Sequence, residues 1–200
     1  RAYELAREEL GDDIDIIVHC HSELDVPTAI KVAQAVEPIK PLFYEDPIAA
    51  AYSEGWMALR RATHLPIMTG ENLALAEQVL PFLQNQAVNH LQPDLINAGG
   101  ITGTRTIAEL AALYRIPVSL HNVGGLGLNM ASQQWSAAVF NCPLMESRGD
   151  SDQAPEALSN TPVIKDGFME VSTLPGLGID LNQEYMKEAR NEGEPWWGDD

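Results

Sequence analysis

Cysteine is scarce in this chain, whose 200 residues contain only two, Cys20 and Cys142. The two cysteines lie far apart and form no C-x-x-C motif, which argues against a disulfide framework. We therefore expect reduced thiols and a cytoplasmic protein.

Basic residues are also few. The 12 lysines and arginines face 29 aspartates and glutamates, giving a formal net charge of −17. Nucleic acids and anionic membranes require clustered basic side chains that replace counterions. We therefore expect neither as a partner, whereas an acidic composition fits a site built from carboxylates.

The sequence has no apolar run of the roughly 18 residues that a membrane-spanning helix needs, so none is predicted. It also lacks an initiator methionine and a signal-peptide pattern. Its opening stretch, "RAYELAREELGDD", resembles the middle of an amphipathic helix. We expect the chain to be truncated at its N-terminus.

Short apolar runs are present and alternate with helical patterns. This spacing predicts parallel strands joined by crossover helices. The predicted strands are "IDIIVHCH", "KPLFYED", "LPIMTGE", "VNHLQPD", "IPVSLHN" and "CPLMES", and the predicted helices cover 26–38, 52–63, 75–84, 103–115 and 129–139.

An ionisable side chain closes each predicted strand, at intervals of roughly 25 residues, the length of one βα unit. The carboxyl ends of the strands are where a (β/α)₈ barrel builds its active site. No G-x-G-x-x-G loop follows the first strand, which argues against a dinucleotide-binding sheet. The six closing residues are His21, Glu45, Glu71, Asp94, His121 and Glu146.

Six units are fewer than a closed barrel needs, so we predict an incomplete β/α barrel over residues 1–158. The segment "VIKDGFMEVSTLPGLGIDLNQEYM" lacks barrel periodicity and predicts a hairpin, a Pro-Gly turn and a terminal helix. Residues 159–200 are therefore assigned to a C-terminal hairpin and tail.

Glu45 in "YEDP" and Glu71 in "TGEN" are candidate metal ligands, because carboxylates from successive strands converge at a barrel mouth. Oxygen-rich sites favour hard divalent ions such as Mg²⁺. Asp46 is expected to point away from Glu45 and to cap the turn that it makes with Pro47.

Two further pairs could carry acid–base chemistry. Asp94 and His121 end consecutive strands, and a carboxylate that holds one ring nitrogen of a histidine gives a general base. In "IIVHCHSELD", strand alternation places His19 and His21 on one face. That histidine pair could be a metal site, an acid–base site or a polar strand end.

Taken together, these motifs resemble the C-terminal barrel of the enolase superfamily, in the mandelate racemase/muconate lactonizing enzyme family and its mandelate racemase subgroup. The resemblance also rests on "QPDLINAGGITG" and on the "LPGLGID" tail. It implies an α/β fold, a (β/α)₇β-type modified TIM barrel, with an α+β capping domain that the C-terminal segment would join. It further implies proton abstraction α to a carboxylate, Mg²⁺ as cofactor and a homo-oligomer.

The resemblance also implies residue roles. Glu45 and Glu71 become the second and third metal ligands, and His121 becomes the base with Asp94 as its partner. Glu146 matches the acidic residue that hydrogen-bonds the substrate, and should then be protonated or strongly hydrogen-bonded, because two bare negative charges repel.

His19 departs from the family pattern, which has an aspartate as the first metal ligand. His19 could bind a metal as a neutral ligand, leave a weaker site completed by water, or mark the loss of metal and chemistry. His21 matches the acid of the family's acid-sugar dehydratases. We therefore expect a hydro-lyase that makes a 2-keto-3-deoxy acid from an acid sugar. A racemase or epimerase and a degenerate, non-catalytic member are the alternatives.

Overall fold

The computed structural model describes residues 1–147, 155–159 and 164–196. Four short parallel strands form one sheet in chain order. Each strand pairs with the next one along the chain, and His19 lies opposite Glu45 in the register. The strands are β1 (Ile17–His19), β2 (Phe43–Glu45), β3 (Ile67–Thr69) and β4 (His90–Leu91).

The fifth and sixth predicted strands continue this sheet less regularly. The fifth run forms isolated parallel bridges, Val118 with Leu91 and His121 with Asp94. The sixth forms no ladder within the described residues, although the Val118 amide donates to the Asn141 carbonyl at 3.0 Å. This differs from the prediction.

The helices between the strands are confirmed to within a few residues of their predicted ends. Asp25 begins the second helix by accepting a hydrogen bond from the Thr28 amide. Within the described ranges, no helix has both the length and the apolarity to cross a membrane. The helices are α1 (Ala2–Leu10), α2 (Val26–Val36), α3 (Glu54–Ala62), α4 (Ala76–Gln84), α5 (Gly100–Leu113) and α6 (Leu126–Ala138).

The core lies between the parallel strands and the helices that cover them. Trp56 of α3 and Phe82 of α4 are fully buried and meet edge to face at 5.1 Å. The Tyr44 hydroxyl donates to the Ala29 carbonyl at 3.0 Å and fastens β2 to α2. This packing fixes the strands, whose carboxyl ends carry the ionisable residues.

The tail has the predicted hairpin and terminal helix. Strands β6 (Ile164–Lys165) and β7 (Phe168–Met169) are antiparallel. Asp166 and Gly167 turn between them with φ of 52° and 79°. Strand β5 (Leu158–Ser159) pairs with β8 (Asp180–Leu181), and α7 covers Gln183–Ala189. The boundary between residues 158 and 159 remains a prediction.

His90 in β4 gives the fold a pH dependence. Burial holds the pKa of its imidazole down to about 4, from an ordinary value of 6.5, and its Nε2 lies 2.7 Å from the Ser119 hydroxyl. The unfolded chain therefore binds more protons between these pH values, so this contribution to stability is lost as pH falls from about 6.5 to about 4. Between pH 8 and pH 5 the loss should be about 2 kcal/mol.

Urea denaturation at both pH values, for the wild type and His90→Asn, isolates this contribution. Between pH 8 and pH 5, the free energy of unfolding of His90→Asn should fall by about 2 kcal/mol less than that of the wild type. An identical loss in both proteins would contradict a buried, neutral His90.

Candidate metal centre and acid–base site

Four side chains converge at the carboxyl ends of β1, β2 and β3. One ligand atom from each lies within 4.8 Å of the others. The His19 ring is at the centre of the group, with Nδ1 3.6 Å from Glu45 Oε2. Its Nε2 lies 3.8 Å from both Asp46 Oδ2 and Glu71 Oε2. We call His19, Glu45, Asp46 and Glu71 the carboxylate–imidazole cluster.

Asp46 is the member that the sequence analysis assigned elsewhere. Strand β2 ends at Glu45, and Asp46 has a φ of 42°, so strand alternation does not apply to it. Its carboxylate accepts a hydrogen bond from the Thr69 hydroxyl. The prediction that Asp46 points away from Glu45 and caps the turn is wrong. The sequence does contain one signal for this position: aspartate tolerates a positive φ, and Asp46 stands at a strand end.

His21 reaches the same side as His19 by an unexpected route. Strand β1 stops at His19, and His21 and Ser22 form a turn with φ of 51° and 61°. The two imidazoles stack with centroids 3.7 Å apart and planes 21° apart. The pair is therefore adjacent, as predicted, but through a turn that brings His21 back over His19. His21 is exposed, so its ring can meet a substrate.

Asp94 and His121 form the expected pair. Asp94 Oδ2 lies 2.9 Å from His121 Nδ1, while Oδ1 accepts hydrogen bonds from the amides of Ile96 and Asn97. With Nδ1 donating to Asp94, the other ring nitrogen carries the lone pair of a base. That nitrogen, Nε2, lies 3.2 Å from Glu71 Oε2, at the edge of the carboxylate–imidazole cluster.

Glu146 is held by two residues that the sequence analysis missed. Its Oε2 accepts from the Asn122 amide at 2.9 Å and from Gln92 Nε2 at 3.2 Å. Gln92 is buried and lies two residues before Asp94. Neither residue is ionisable, so the pattern of ionisable residues that close the strands does not single it out. Glu146 thus has the hydrogen-bonded environment that its predicted role requires.

Comparison with known proteins identifies the family. Residues 1–185 match the family described as enolase C-terminal domain-like. The chain belongs to this family. The predicted enolase-type barrel is therefore confirmed.

The relatives of this enolase-type domain include sugar-acid dehydratases. A D-gluconate dehydratase from Thermoproteus tenax is 32% identical over 96% of this chain and 39% of its own length. A D-xylonate dehydratase from Haloferax volcanii is 32% identical over 96% of this chain and 47% of its own. The chain thus spans about half the length of the curated relatives it matches, or somewhat less.

Solved structures give the same family. A mandelate racemase/muconate lactonizing enzyme from Jannaschia sp. superposes with a TM-score of 0.86 at 28% identity, over 96% of this chain and 50% of that one. One from Sulfitobacter sp. gives 0.87 at 28% identity, over 93% and 47%. This enolase-type domain therefore resembles that family in both its fold and its amino-acid sequence.

The cluster of this enolase-type domain has the chemistry of a cation site. Burial, with repulsion from Asp46, Glu146 and Glu71, raises the pKa of Glu45 to about 8. Burial likewise raises the pKa of Asp46 to about 6. Asp46 Oδ2 and His19 Nε2 are buried without a hydrogen-bond partner. A divalent cation among these atoms would satisfy both and favour the ionised carboxylates, so the residues fit a metal.

Proposed function

We propose that the protein is a metal-dependent hydro-lyase that removes water from an acid sugar. The observation that carries the proposal is the Asp94–His121 pair beside the carboxylate–imidazole cluster. A general base beside a cation site is the combination needed to remove a proton α to a carboxylate, whose conjugate base would otherwise be too unstable.

The names of the relatives support the reaction class and the substrate class. They include dehydratases of D-gluconate, D-xylonate and D-mannonate, all acid sugars. We accordingly propose a polyhydroxy acid as substrate, with a hydroxyl on the carbon next to the one that loses its proton. The homo-oligomer expected from the family remains a prediction.

A divalent cation, Mg²⁺ by the family resemblance, would be held by His19, Glu45, Asp46 and Glu71. Bound there, the cation supplies positive charge close to the substrate carboxylate, where negative charge develops as the α-proton leaves. The buried carboxylates are matched to that role, because their oxygens are the ligands that hard cations prefer.

The chain's own residues then supply the proton transfers. His121 Nε2 takes the α-proton while Asp94 holds the opposite ring nitrogen and stabilises the imidazolium. His21 gives a proton to the departing hydroxyl, which leaves as water. Glu146, held by Gln92 and Asn122, would donate a hydrogen bond to the substrate carboxylate when its own carboxyl group carries a proton. The enol product tautomerises to a 2-keto-3-deoxy acid.

We test the proposal by incubating the complete protein with Mg²⁺ and a panel of mono- and diacid sugars. A 2-keto acid product is expected for at least one of them. If the folded, metal-loaded protein forms no 2-keto acid from any member of the panel, the proposal is wrong. Exchange or inversion at the α-carbon without loss of water would identify a racemase or epimerase instead.

His21→Asn is expected to separate the two proton transfers. The rate of product formation should fall about 10²-fold, at the lower end of the range typical of a lost general acid. Water can reach this exposed position and can donate the proton in place of His21. Exchange of the α-proton with deuterated solvent should persist, since His121 is intact. NMR of the substrate measures exchange and elimination together, and His64→Asn, at an exposed site, serves as the control. Equal losses of both processes would contradict the acid role.

A further inference from the structure

The carboxylate–imidazole cluster contains one nitrogen ligand among its oxygens, and this bears on which ion it holds. We infer that the cluster binds first-row transition dications, such as Co²⁺, more tightly than Mg²⁺, and that His19 sets this preference. The inference rests on the proposed function only in placing a divalent cation at the cluster.

His19 lies where it can coordinate an ion that the three carboxylates hold. Its two ring nitrogens face all three carboxylates at 3.6–3.8 Å. The His19 side chain is 26% exposed, yet its Nε2 is buried and has no hydrogen-bond partner. An ion placed among the carboxylate oxygens therefore lies next to an unused nitrogen lone pair.

Asp46 independently marks the cluster as a ligand site. Its side chain is only 2% exposed, and Oδ2 is buried, unpartnered and directed at His19. A buried carboxylate oxygen without a partner costs free energy unless a cation satisfies it. Thr69 holds the Asp46 carboxylate from the other side and fixes its direction.

The donor set then selects among ions. Mg²⁺ is small and hard and binds through carboxylates, carbonyls and water, whereas imidazole favours iron, nickel, copper and zinc. Affinity for a mixed nitrogen and oxygen site also rises along the first row from Mn²⁺ through Co²⁺. The His21 ring stacks on the His19 imidazole with ring centroids 3.7 Å apart, which restricts the orientation of that imidazole.

The first test measures dissociation constants of Mg²⁺ and Co²⁺ by isothermal titration calorimetry, with the metal-free protein. The wild type should bind Co²⁺ more tightly. His19→Asp should reduce the ratio of the Mg²⁺ dissociation constant to the Co²⁺ dissociation constant by about tenfold or more, since changing a group that only supports a ligand already alters metal affinity by about 10–100-fold. His64→Asn removes an exposed histidine outside the cluster and should leave the ratio unchanged.

The second test identifies the nitrogen directly. The protein loaded with Mn²⁺ should show ¹⁴N coupling in pulsed electron paramagnetic resonance, because a coordinated imidazole places nitrogen next to the spin. The coupling should persist in His21→Asn and vanish in both His19→Asp and His19→Asn. The second His19 variant covers the case in which the added carboxylate disturbs folding.

Several results would overturn the inference. They are tighter binding of Mg²⁺ than of Co²⁺ by the wild type, an unchanged ratio in His19→Asp, ¹⁴N coupling that survives loss of His19, or no binding of either ion. None of these measurements involves turnover. A protein that binds Co²⁺ through His19 but dehydrates nothing would refute the proposed function alone.

Discussion

Replacing His121 with asparagine is expected to lower the rate of dehydration by about 10²–10⁴-fold, the range typical of a lost general base. Asparagine keeps a polar side chain at this position but has no group that can take a proton from carbon. The effect should fall on kcat, because His121 acts in the transition state. Exchange of the substrate α-proton with deuterated solvent should be lost together with product formation.

Asp94→Asn and His64→Asn complete this experiment. Asp94 Oδ2 accepts from His121 Nδ1, whereas an amide can donate there and stabilise the wrong tautomer, so Asp94→Asn should also slow exchange. His64→Asn, at an exposed site, should retain wild-type exchange. If His121→Asn still exchanges the α-proton at the wild-type rate, another residue is the base.

The repeating strand–helix units of the fold could be predicted because apolar residues recur with the period of a strand or a helix. Strand β2 was placed by an apolar run and a closing Glu45, and helix α4 by its helical apolar pattern. The fifth and sixth strands are less regular than the pattern predicts, and proline does not distinguish them, because Pro66 directly precedes the ladder-forming strand β3. Periodicity identifies the unit but not the number of hydrogen bonds in each strand.

The same distinction applies to the site. That Glu45, Glu71 and His121 lie close together could be predicted, because each closes a predicted strand and such residues meet at one edge of the sheet. Asp46 and the turn at His21 could not, because both depend on a positive φ that alternation does not anticipate. The positive φ of Asp46 places its carboxylate in the cluster as a fourth candidate ligand.

Five of the seven described non-glycine residues with positive φ fall into two groups. Gln86 and Arg115 adopt them just after helices α4 and α5, where such a residue ends a helix. His21, Ser22 and Asp46 instead adopt them at strand ends, within or beside the cluster. Backbone strain of this kind is tolerated where it positions functional groups, and here it directs an imidazole and a carboxylate.

Gly70→Ala is expected to damage both the fold and the site. Gly70 follows β3, has a φ of 153°, and precedes the ligand Glu71. An added Cβ would lie 2.6 Å from the Gln92 carbonyl carbon and 2.7 Å from the Gln92 nitrogen. Backbone cannot rotate away as a side chain can, so β3 and β4 must separate. The free energy of unfolding should fall by roughly 2–5 kcal/mol, from overpacking and an unfavourable φ.

The separation should also weaken metal binding. The Gln92 amide donates a hydrogen bond to the Thr69 carbonyl at 2.9 Å, so a shift of β3 away from Gln92 would also move the ligand Glu71, two residues after Thr69. Urea denaturation with excess chelator measures the loss of stability without the contribution of bound metal. Gly127→Ala in α6 is the matched control, since nothing lies within 4 Å of its Cβ position. It should leave stability unchanged or raise it by up to about 1 kcal/mol. Equal midpoints for Gly70→Ala and the wild type would mean that β3 and β4 do not pack as closely as described, and the position of Glu71 in the cluster would then lose its support.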